Sequence, residues 1–264
     1  MITSTSNAKV KNLVNLKKKR KARDEEKVFL VEGIRMFVET PKEHLLEVFV
    51  SETFYKKEKK TVDRVLQGSK AKLEVFSDTV FDYVSDTKTP QGVLCVVRQM
   101  NYSLESIMKS EKSPMLLVLD QLQDPGNLGT ILRTAEGAGV TGIVMSRDTV
   151  DIYNPKVIRS TMGSIYRMPF YYAENLAEAI EELKSHGVRT FAAHLDGKRA
   201  YDEEDYSGAC AFMIGNEGNG LRDQIADLSD CYIRIPMCGE VESLNAAIAA
   251  SVLMFEAARQ RRHV

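Results

Sequence analysis

Three polar segments of this chain carry side chains that could do chemistry, and each adjoins an apolar stretch. The first is DPGNLGTILR at residues 124–133, the second is GNEGNG at residues 215–220, and the third is IPMCGEVESLNAAIAA at residues 235–250. Arginine, carboxylate, hydroxyl and amide groups together can hold a phosphate or a hydroxyl and can stabilise developing charge. The second and third segments each follow an apolar strand, so the sequence predicts that these two loops lie side by side and bind a small ligand.

In the first segment Arg133 follows Asn127 by six residues, on a predicted helix that leaves the glycine-rich loop. A guanidinium there could hold a phosphate or a developing negative charge beside a pocket. The same pattern also fits an N-capping Asn127 and an Arg133 engaged in an ordinary surface ion pair. The spacing alone leaves both interpretations open.

The second and third segments pose similar choices. Three glycines in six residues allow the backbone to approach a ligand, but Glu217 could instead complement the dipole of the helix predicted after it. Ser243 or Asn245 would be a normal N-cap for the final helix, which leaves the other free to form a hydrogen bond elsewhere.

The elements that must position these groups form two predicted domains. Residues 115–262 alternate near-continuous apolar runs with helical patterns, which indicates a parallel sheet covered on both faces. In such sheets a ligand binds at the carboxyl ends of the strands. The first hundred residues read as a smaller α/β domain, and the polar stretch 100–114 reads as a linker. We place the domains at residues 1–105 and 114–264.

Composition and apolar run lengths indicate where the protein is located and whether it holds a metal. No uncharged apolar run approaches about 18 residues, the length of a membrane span, and the N-terminus lacks the apolar centre of a signal peptide. A cytoplasmic protein is therefore expected. None of the four cysteines forms a CxxC pair, and no histidine pair has zinc spacing, so we predict reduced cysteines and no metal.

The charge is unevenly distributed. The first 35 residues hold ten basic and four acidic side chains, although the whole chain carries a net charge of −1. Residues 9–27 show helical apolar spacing among lysines, which predicts a basic amphipathic helix. Such a helix suits a phosphate-bearing partner, and it equally suits a solvated surface.

One further motif is a false lead. Gly137, Gly139 and Gly142 match GxGxxG, but a dinucleotide fingerprint needs a strand before it and a helix after it. Here a predicted helix precedes and a predicted strand follows, so these glycines are expected to end the helix and form a turn.

NLGTILRTA, MIGNEGNGL and IPMCGEVESLNAAIAA, in this order, resemble the three motifs of the SpoU (TrmH-type) family of RNA ribose 2′-O-methyltransferases. The resemblance covers most of residues 115–262. VFLVEGIRMF and TPQGVLCVV also resemble that family's substrate-binding domain, which is similar to a ribosomal-protein RNA-binding fold.

The resemblance implies an S-adenosylmethionine-dependent enzyme that methylates a ribose 2′-hydroxyl in rRNA or tRNA. It also implies a trefoil-knotted C-terminal domain through which two copies pair as a homodimer. The catalytic positions implied by the motifs are Arg133, Asn127, Glu217, Ser243 and Asn245. The implied cofactor-binding positions are Gly215, Ile235, Leu244, His194 and Met237.

Two points stay open at this stage. The family assigns a base role to the arginine, whereas its pKa above about 12 favours a role in orienting the ribose and stabilising charge. A non-catalytic RNA-binding protein that retains the fold is an alternative, as is a nucleotide-dependent oxidoreductase. The reversed GxGxxG order argues against the oxidoreductase.

Overall fold

The structure, a computed structural model, describes residues 1–262 and divides the chain into two units. The first unit comprises Met1–Met100 together with Asp151–Tyr166, and the second comprises Asn101–Val150 and the chain from Arg167 on. None of the helices described is long and apolar enough to cross a membrane.

The elements of the first hundred residues are α1 (Ala8–Lys18), α2 (Arg20–Glu26), β1 (Val28–Glu32), α3 (Ile34–Glu39), β2 (Leu45–Ser51), α4 (Glu52–Leu66), β3 (Lys72–Phe76), α5 (Asp78–Val84) and β4 (Val93–Arg98). They are followed by α6 (Leu104–Met108), β5 (Met115–Leu119), α7 (Pro125–Ala138), β6 (Gly142–Ser146), α8 (Pro155–Thr161), β7 (Phe170–Ala173), α9 (Leu176–Ser185), β8 (Arg189–Ala193), β9 (Arg199–Ala200), β10 (Cys210–Ile214), α10 (Asp223–Ala226), β11 (Cys231–Arg234) and α11 (Ala246–Arg261). Two short 3-10 helices lie at Ser164–Tyr166 and Tyr201–Glu203.

The second unit is built on a seven-stranded sheet in the order β7-β6-β5-β10-β8-β11-β9, and all its neighbouring strands are parallel. Alternate residues of β5 and β10 pack with α6 and α9 in one core, while α11 packs against α7 and β10. The strands β5, β6 and β10 are buried along their whole length. Sequences of this kind are apolar without alternation because both faces are covered, and the predicted α/β fold with a parallel sheet is confirmed.

The first unit carries a four-stranded sheet in the order β1-β4-β2-β3, in which only β2 and β3 run parallel. The predicted basic helix over residues 9–27 is wrong in one respect. The chain becomes extended at Lys19 (φ −119°, ψ 117°) and forms two helices, α1 and α2. Val10, Leu13 and Leu16 of α1 are buried in the core of this unit, so the segment is part of the fold.

Residues 151–166 pack with the first unit, although the sequence pattern predicts them within the second domain. The ring of Tyr153 stacks on Phe29 with centroids 4.7 Å apart. The Tyr153 hydroxyl donates to the carbonyl of Met100 at 3.0 Å and accepts from its amide at 2.8 Å. Arg23, which is buried, donates to the Asp151 carboxylate at 2.5 Å. This segment therefore supplies part of the core of the first unit.

The predicted linker over residues 100–114 is wrong in part. Leu104, Ile107 and Met108 of α6 are buried in the same core as α9 and β5. A helix of five residues shows too few apolar repeats to stand out among polar neighbours.

The GxGxxG segment runs from helix to strand, as predicted. Gly139 ends α7 in the left-handed conformation (φ 81°), and Gly142 begins β6.

Gly142 is a glycine because no side chain fits there. A Cβ atom at this position would lie 2.3 Å from Cγ2 of the buried Ile107. We expect Gly142→Ala to destabilise the second unit by about 1–3 kcal/mol, the usual cost of overpacking a core. Gly137→Ala is the matched control, because a Cβ atom there meets nothing within 4 Å. It lies in α7 and should raise stability by up to about 1 kcal/mol. Urea unfolding of both variants checks this, and equal midpoints would contradict it.

Candidate active site

The tip of a tight turn after β10 carries Glu217. The turn is closed by two reciprocal backbone hydrogen bonds of 2.9 Å between Asn216 and Gly220. The Glu217 carboxylate accepts from the amides of Gln123 (3.0 Å) and Asp124 (2.8 Å), just ahead of α7, and from Nδ2 of Asn127 (2.9 Å). Glu217 thus joins the second polar segment to the first.

Asn127 extends this connection to the third segment. Its Oδ1 accepts from Nδ2 of Asn245 at 3.0 Å. The Oδ1 of Asn245 in turn accepts from the amides of Ala247 (2.9 Å) and Ile248 (3.3 Å) at the start of α11. A carboxylate, two amides and a helix N-terminus therefore form one continuous chain of hydrogen bonds, which we call the 217–127–245 network.

These hydrogen bonds show which of the alternative roles left open by the sequence applies to Asn127, Glu217 and Asn245. Asn127 is not the N-cap of α7, since Asp124 caps that helix by accepting from the Asn127 amide at 2.8 Å. Glu217 does not serve α10, the helix after it, because its partners belong to the start of α7. Asn245 caps α11. Ser243 is exposed and forms no hydrogen bond with any part of residues 1–262.

Arg133 lies on α7, is exposed, and makes no hydrogen bond or ion pair with the chain that the structure describes. The alternative of an ordinary surface ion pair for Arg133 is therefore wrong. No hydrogen bond joins it to the 217–127–245 network either. Its guanidinium remains available to a ligand.

The electrostatics of Glu217 follow from its partners. Partial burial acts to raise the pKa of this carboxyl, but the hydrogen bonds from Asn127 and from the amides of Gln123 and Asp124 outweigh it. The net effect is a pKa below the ordinary value for glutamate, because three donors stabilise the charged form. Glu217 is therefore an anion at neutral pH and a poor proton acceptor.

Gly215 directly follows β10, and the structure gives a steric reason for the glycine. A Cβ atom there would lie 2.0 Å from the backbone of Gly220 and Leu221. Any side chain at this position would therefore open the turn that carries Glu217.

The other predicted cofactor positions follow β8 and β11. The amide of His194 donates to the carbonyl of Ile233 at 3.0 Å, which places the end of β8 beside β11. The His194 ring lies 5.0 Å from the ring of Tyr232. Ile235 and Leu244 are half-buried, and Met237 is 37 % exposed.

The segment between Ile235 and Asn245 lacks hydrogen-bond partners for its backbone within residues 1–262. Residues 236–244 form no hydrogen bond with any other described residue. Their amides and carbonyls are therefore open to a ligand.

Sequence reasoning missed an ion pair beside the turn. Asp120, directly after β5, is fully buried, and its carboxylate accepts from Nε (2.9 Å) and Nη2 (2.6 Å) of Arg222. The available signal was a carboxylate at the end of a fully apolar strand. A charge buried in this way needs a partner.

Replacing Glu217 by glutamine should reveal the charge dependence of the network. The glutamine amide presents a donor where three donors converge, but the site is open to solvent, so Glu217→Gln should cost up to about 1 kcal/mol of unfolding free energy at pH 7. Because the folded-state pKa is lowered, this stabilisation is complete above the unfolded value of about 4.3 and is lost as the pH falls through the folded value. Urea unfolding at pH 7, 5 and 3.5 should show the difference from wild type shrinking at the lowest pH.

Glu181→Gln on α9 is the control, since Glu181 is exposed and has no hydrogen-bond or ion-pair partner within residues 1–262. It should change stability little at any pH. A Glu217→Gln penalty that stayed constant from pH 7 to 3.5 would contradict the ionic character of the network.

Comparison with known proteins places this geometry in a family. The SpoU rRNA Methylase family matches residues 114–255, and the MRM3-like substrate binding domain matches residues 7–95. The 23S rRNA (guanosine(2553)-2′-O)-methyltransferase RlmP of Bacillus subtilis is 33% identical over 260 residues, which cover 96% of this chain and 97% of that protein.

Solved structures agree with the sequence match. The AdoMet-bound rRNA methyltransferase of Sinorhizobium meliloti superimposes with a TM-score of 0.88 at 30% identity, covering 100% of this chain and 97% of that one. A crystal structure of an RNA 2′-O ribose methyltransferase gives 0.82 at 32% identity over 99% of both chains. The chain described here therefore belongs to the SpoU rRNA methylase family.

Proposed function

We propose that this protein transfers a methyl group from S-adenosylmethionine to a ribose 2′-hydroxyl of rRNA or tRNA. The observation that carries the proposal is the 217–127–245 network, which joins the three motif segments of a chain that matches methyltransferases along nearly its whole length. The 2′-hydroxyl is the group that DNA lacks, so the substrate is RNA. With cellular RNA as substrate, we place the protein in the cytoplasm.

The ends of β8, β10 and β11 fit S-adenosylmethionine. This cofactor carries an adenine edge, ribose hydroxyls and an amino-acid group, all of which form hydrogen bonds. The unpaired backbone of residues 236–244 offers matching donors and acceptors. We propose that Ile235, Met237 and Leu244 contact the cofactor together with Gly215 and His194. When bound, S-adenosylmethionine supplies an electrophilic methyl group.

The polar residues then divide into two roles. Glu217, Asn127 and Asn245 spend their side-chain hydrogen bonds on one another and on helix amides. We assign them to holding the three segments in register. Arg133 and Ser243 have no partner within residues 1–262, so they are the groups free to bind the RNA ribose and its phosphate.

Arg133 should orient the ribose and stabilise the charge that develops on its 2′-oxygen. An arginine side chain stays protonated in proteins, so proton removal falls to water or to another acceptor. Holding the hydroxyl in line for transfer is itself a large part of such catalysis.

The final helix carries exposed apolar residues that suit pairing with a second copy of the chain. α11 exposes Ile248 (50 %) and Phe255 (48 %), and Val252 between them is half-buried. Their spacing places all three on one face of the helix. We propose that this face pairs two chains through the C-terminal domain. The trefoil knot remains a proposal that rests on the family resemblance.

The first unit is the proposed RNA-binding domain, with a fold like that of an RNA-binding ribosomal protein. Its match to the MRM3-like substrate binding domain supports this assignment. Of its leading cations, Lys11, Lys18 and Lys19 are exposed and have no ion-pair or hydrogen-bond partner in the chain the structure describes. Arg20 and Lys21 are paired with Asp24 and Glu25. The three unpaired lysines are the side chains that would reach phosphates.

Arg133→Ala tests the proposed mechanism. We expect kcat/KM for methyl transfer from radiolabelled S-adenosylmethionine to RNA to fall by about 100-fold or more, since removing one group that stabilises transition-state charge has effects of this order. Cofactor affinity, measured by calorimetry, should stay within about threefold because Arg133 makes no hydrogen bond with the segments proposed to bind the cofactor.

Arg147→Ala is the control, because Arg147 is an exposed arginine of the same unit that is already paired with Glu174. It should leave turnover unchanged. Near-normal turnover of Arg133→Ala would remove Arg133 from the mechanism. A wild-type protein that binds RNA and never binds S-adenosylmethionine would instead be the non-catalytic RNA-binding alternative.

Replacing Lys11, Lys18 and Lys19 together by glutamine tests RNA contact by α1 and the residue that caps it, Lys19. Each phosphate contact contributes about 0.7–0.9 to the slope of log Kobs against log salt concentration, so the slope should flatten by up to about 2–3. Substitution is a cleaner test than removing residues 1–23, because deletion would also take Val10, Leu13 and Leu16 from the core. Lys57, Lys59 and Lys60 of α4, replaced likewise, are the control. If both triple variants flattened the salt dependence equally, α1 would have no specific role in RNA contact.

A further inference from the structure

Arg222 and the buried Asp120 form an ion pair two residues beyond the second polar segment. Arg222 directly precedes α10. It binds Asp120 through two side-chain nitrogens, and its backbone amide lies 3.4 Å from Oδ2. Asp120 is fully buried, and Arg222 is the only residue among 1–262 that donates to its carboxylate. A buried carboxylate with one bidentate partner fixes the position of that partner closely.

The pair is one of three attachments between residues 216–222 and residues 120–127. Nearest the strand end, Nδ2 of Asn216 donates to the carbonyl of Gln121 at 2.8 Å. At the tip of the turn, Glu217 binds the start of α7. At the far end, Arg222 binds Asp120. The turn is therefore held at its beginning, its tip and its end by the segment that leads into α7.

Backbone strain marks the same place. Gln121, between Asp120 and α7, has a positive φ of 55° although it is not a glycine. Its amide donates to Oγ of Ser146 at 2.8 Å, and its carbonyl accepts from Asn216. A non-glycine residue persists in this conformation only where its surroundings impose it, and such residues cluster at functional sites.

We propose that Asp120 and Arg222 are positioning residues that set the distance between the turn at residues 215–220 and α7. The inference rests on the proposed function. Under that function the turn adjoins the cofactor and α7 carries Arg133, so the pair fixes the cofactor relative to the ribose. Arg222 acts through the turn, because the backbone of Gly220 and Leu221, its near neighbours, lies so close to Gly215 that a Cβ atom there would not fit.

The informative variants are Arg222→Lys and the double variant D120N/R222Q. Lysine keeps the charge but cannot form the bidentate contact with the Asp120 carboxylate. The double variant removes both charges, so no ion is left buried without a partner. In both variants we expect kcat at saturating cofactor and RNA to fall by about 10–100-fold, with the KM for RNA unchanged. The Kd for S-adenosylmethionine should rise by no more than about tenfold, because the Asn216 and Glu217 attachments remain.

The matched control is Arg189→Lys. Arg189 binds the buried carboxylate of Glu204 at 2.8 Å, at the amino end of β8. It should alter thermal stability without altering kcat per folded molecule. If Arg222→Lys and D120N/R222Q behaved in the same way as this control, Asp120 and Arg222 would be structural only and the inference would be overturned.

Hydrogen–deuterium exchange separates this inference from the proposed function. In Arg222→Lys the amides of residues 215–221 should exchange at least tenfold faster than in wild type, while those of β8 and β11 are unchanged. Wild-type protein that neither binds S-adenosylmethionine nor methylates RNA would refute the proposed function. Unchanged exchange at residues 215–221 would refute the positioning role, whatever the activity.

Discussion

The carboxylate of Glu217 is the interaction on which the candidate site depends. Two backbone amides ahead of α7 and the side-chain amide of Asn127 all point donors at it. A neutral acceptor could satisfy these donors only in part, whereas an anion at the positive end of a helix dipole gains from all three. Solvent screens these bonds because the Glu217 side chain is exposed, yet together they outweigh the effect of partial burial and lower the pKa of the carboxyl.

Asparagine side chains are suited to connecting Glu217 to the start of α11. Asn127 donates to Glu217 and accepts from Asn245, which in turn caps α11. Serine or aspartate could cap the helix equally well, but an asparagine presents both a donor and an acceptor at fixed spacing. The network therefore fixes the starts of α7 and α11 against the turn after β10, and α7 and α11 pack along each other.

The sheet order makes the network possible. β10 lies between β5 and β8, although β5 precedes it by almost a hundred residues. The pairing of Ile214 with Leu119 brings the turn after β10 next to the loop after β5. Sequence patterns predicted the strands and the edge at which the site lies, since apolar runs and glycine-rich loops are local features. They could not predict the order of the strands, which is a property of the fold.

The errors of prediction have the same origin. Asn127 looked like a cap because the local pattern cannot show that Asp124 captures its amide. For Glu217 the sequence offered ligand contact or the dipole of the helix that follows it, whereas its partners lie some ninety residues earlier. The short α6 and the residues 151–166 that complete the first unit are recognisable only from their buried contacts. Asp120 did give a local signal, a charge at the end of an apolar strand, but its partner could not be inferred.

The division between satisfied and unsatisfied polar groups constrains the chemistry more than the residue types do. Each member of the 217–127–245 network is engaged by another, and hydrogen bonding lowers the pKa of Glu217. Accepting a proton there would weaken the bonds that hold three segments together, so the network is unsuited to act as the base. Under the proposed function, a permanent cation and a hydroxyl are left for the RNA, and an unpaired backbone is left for the cofactor. The rate would then come from alignment and charge stabilisation, with the proton leaving to solvent.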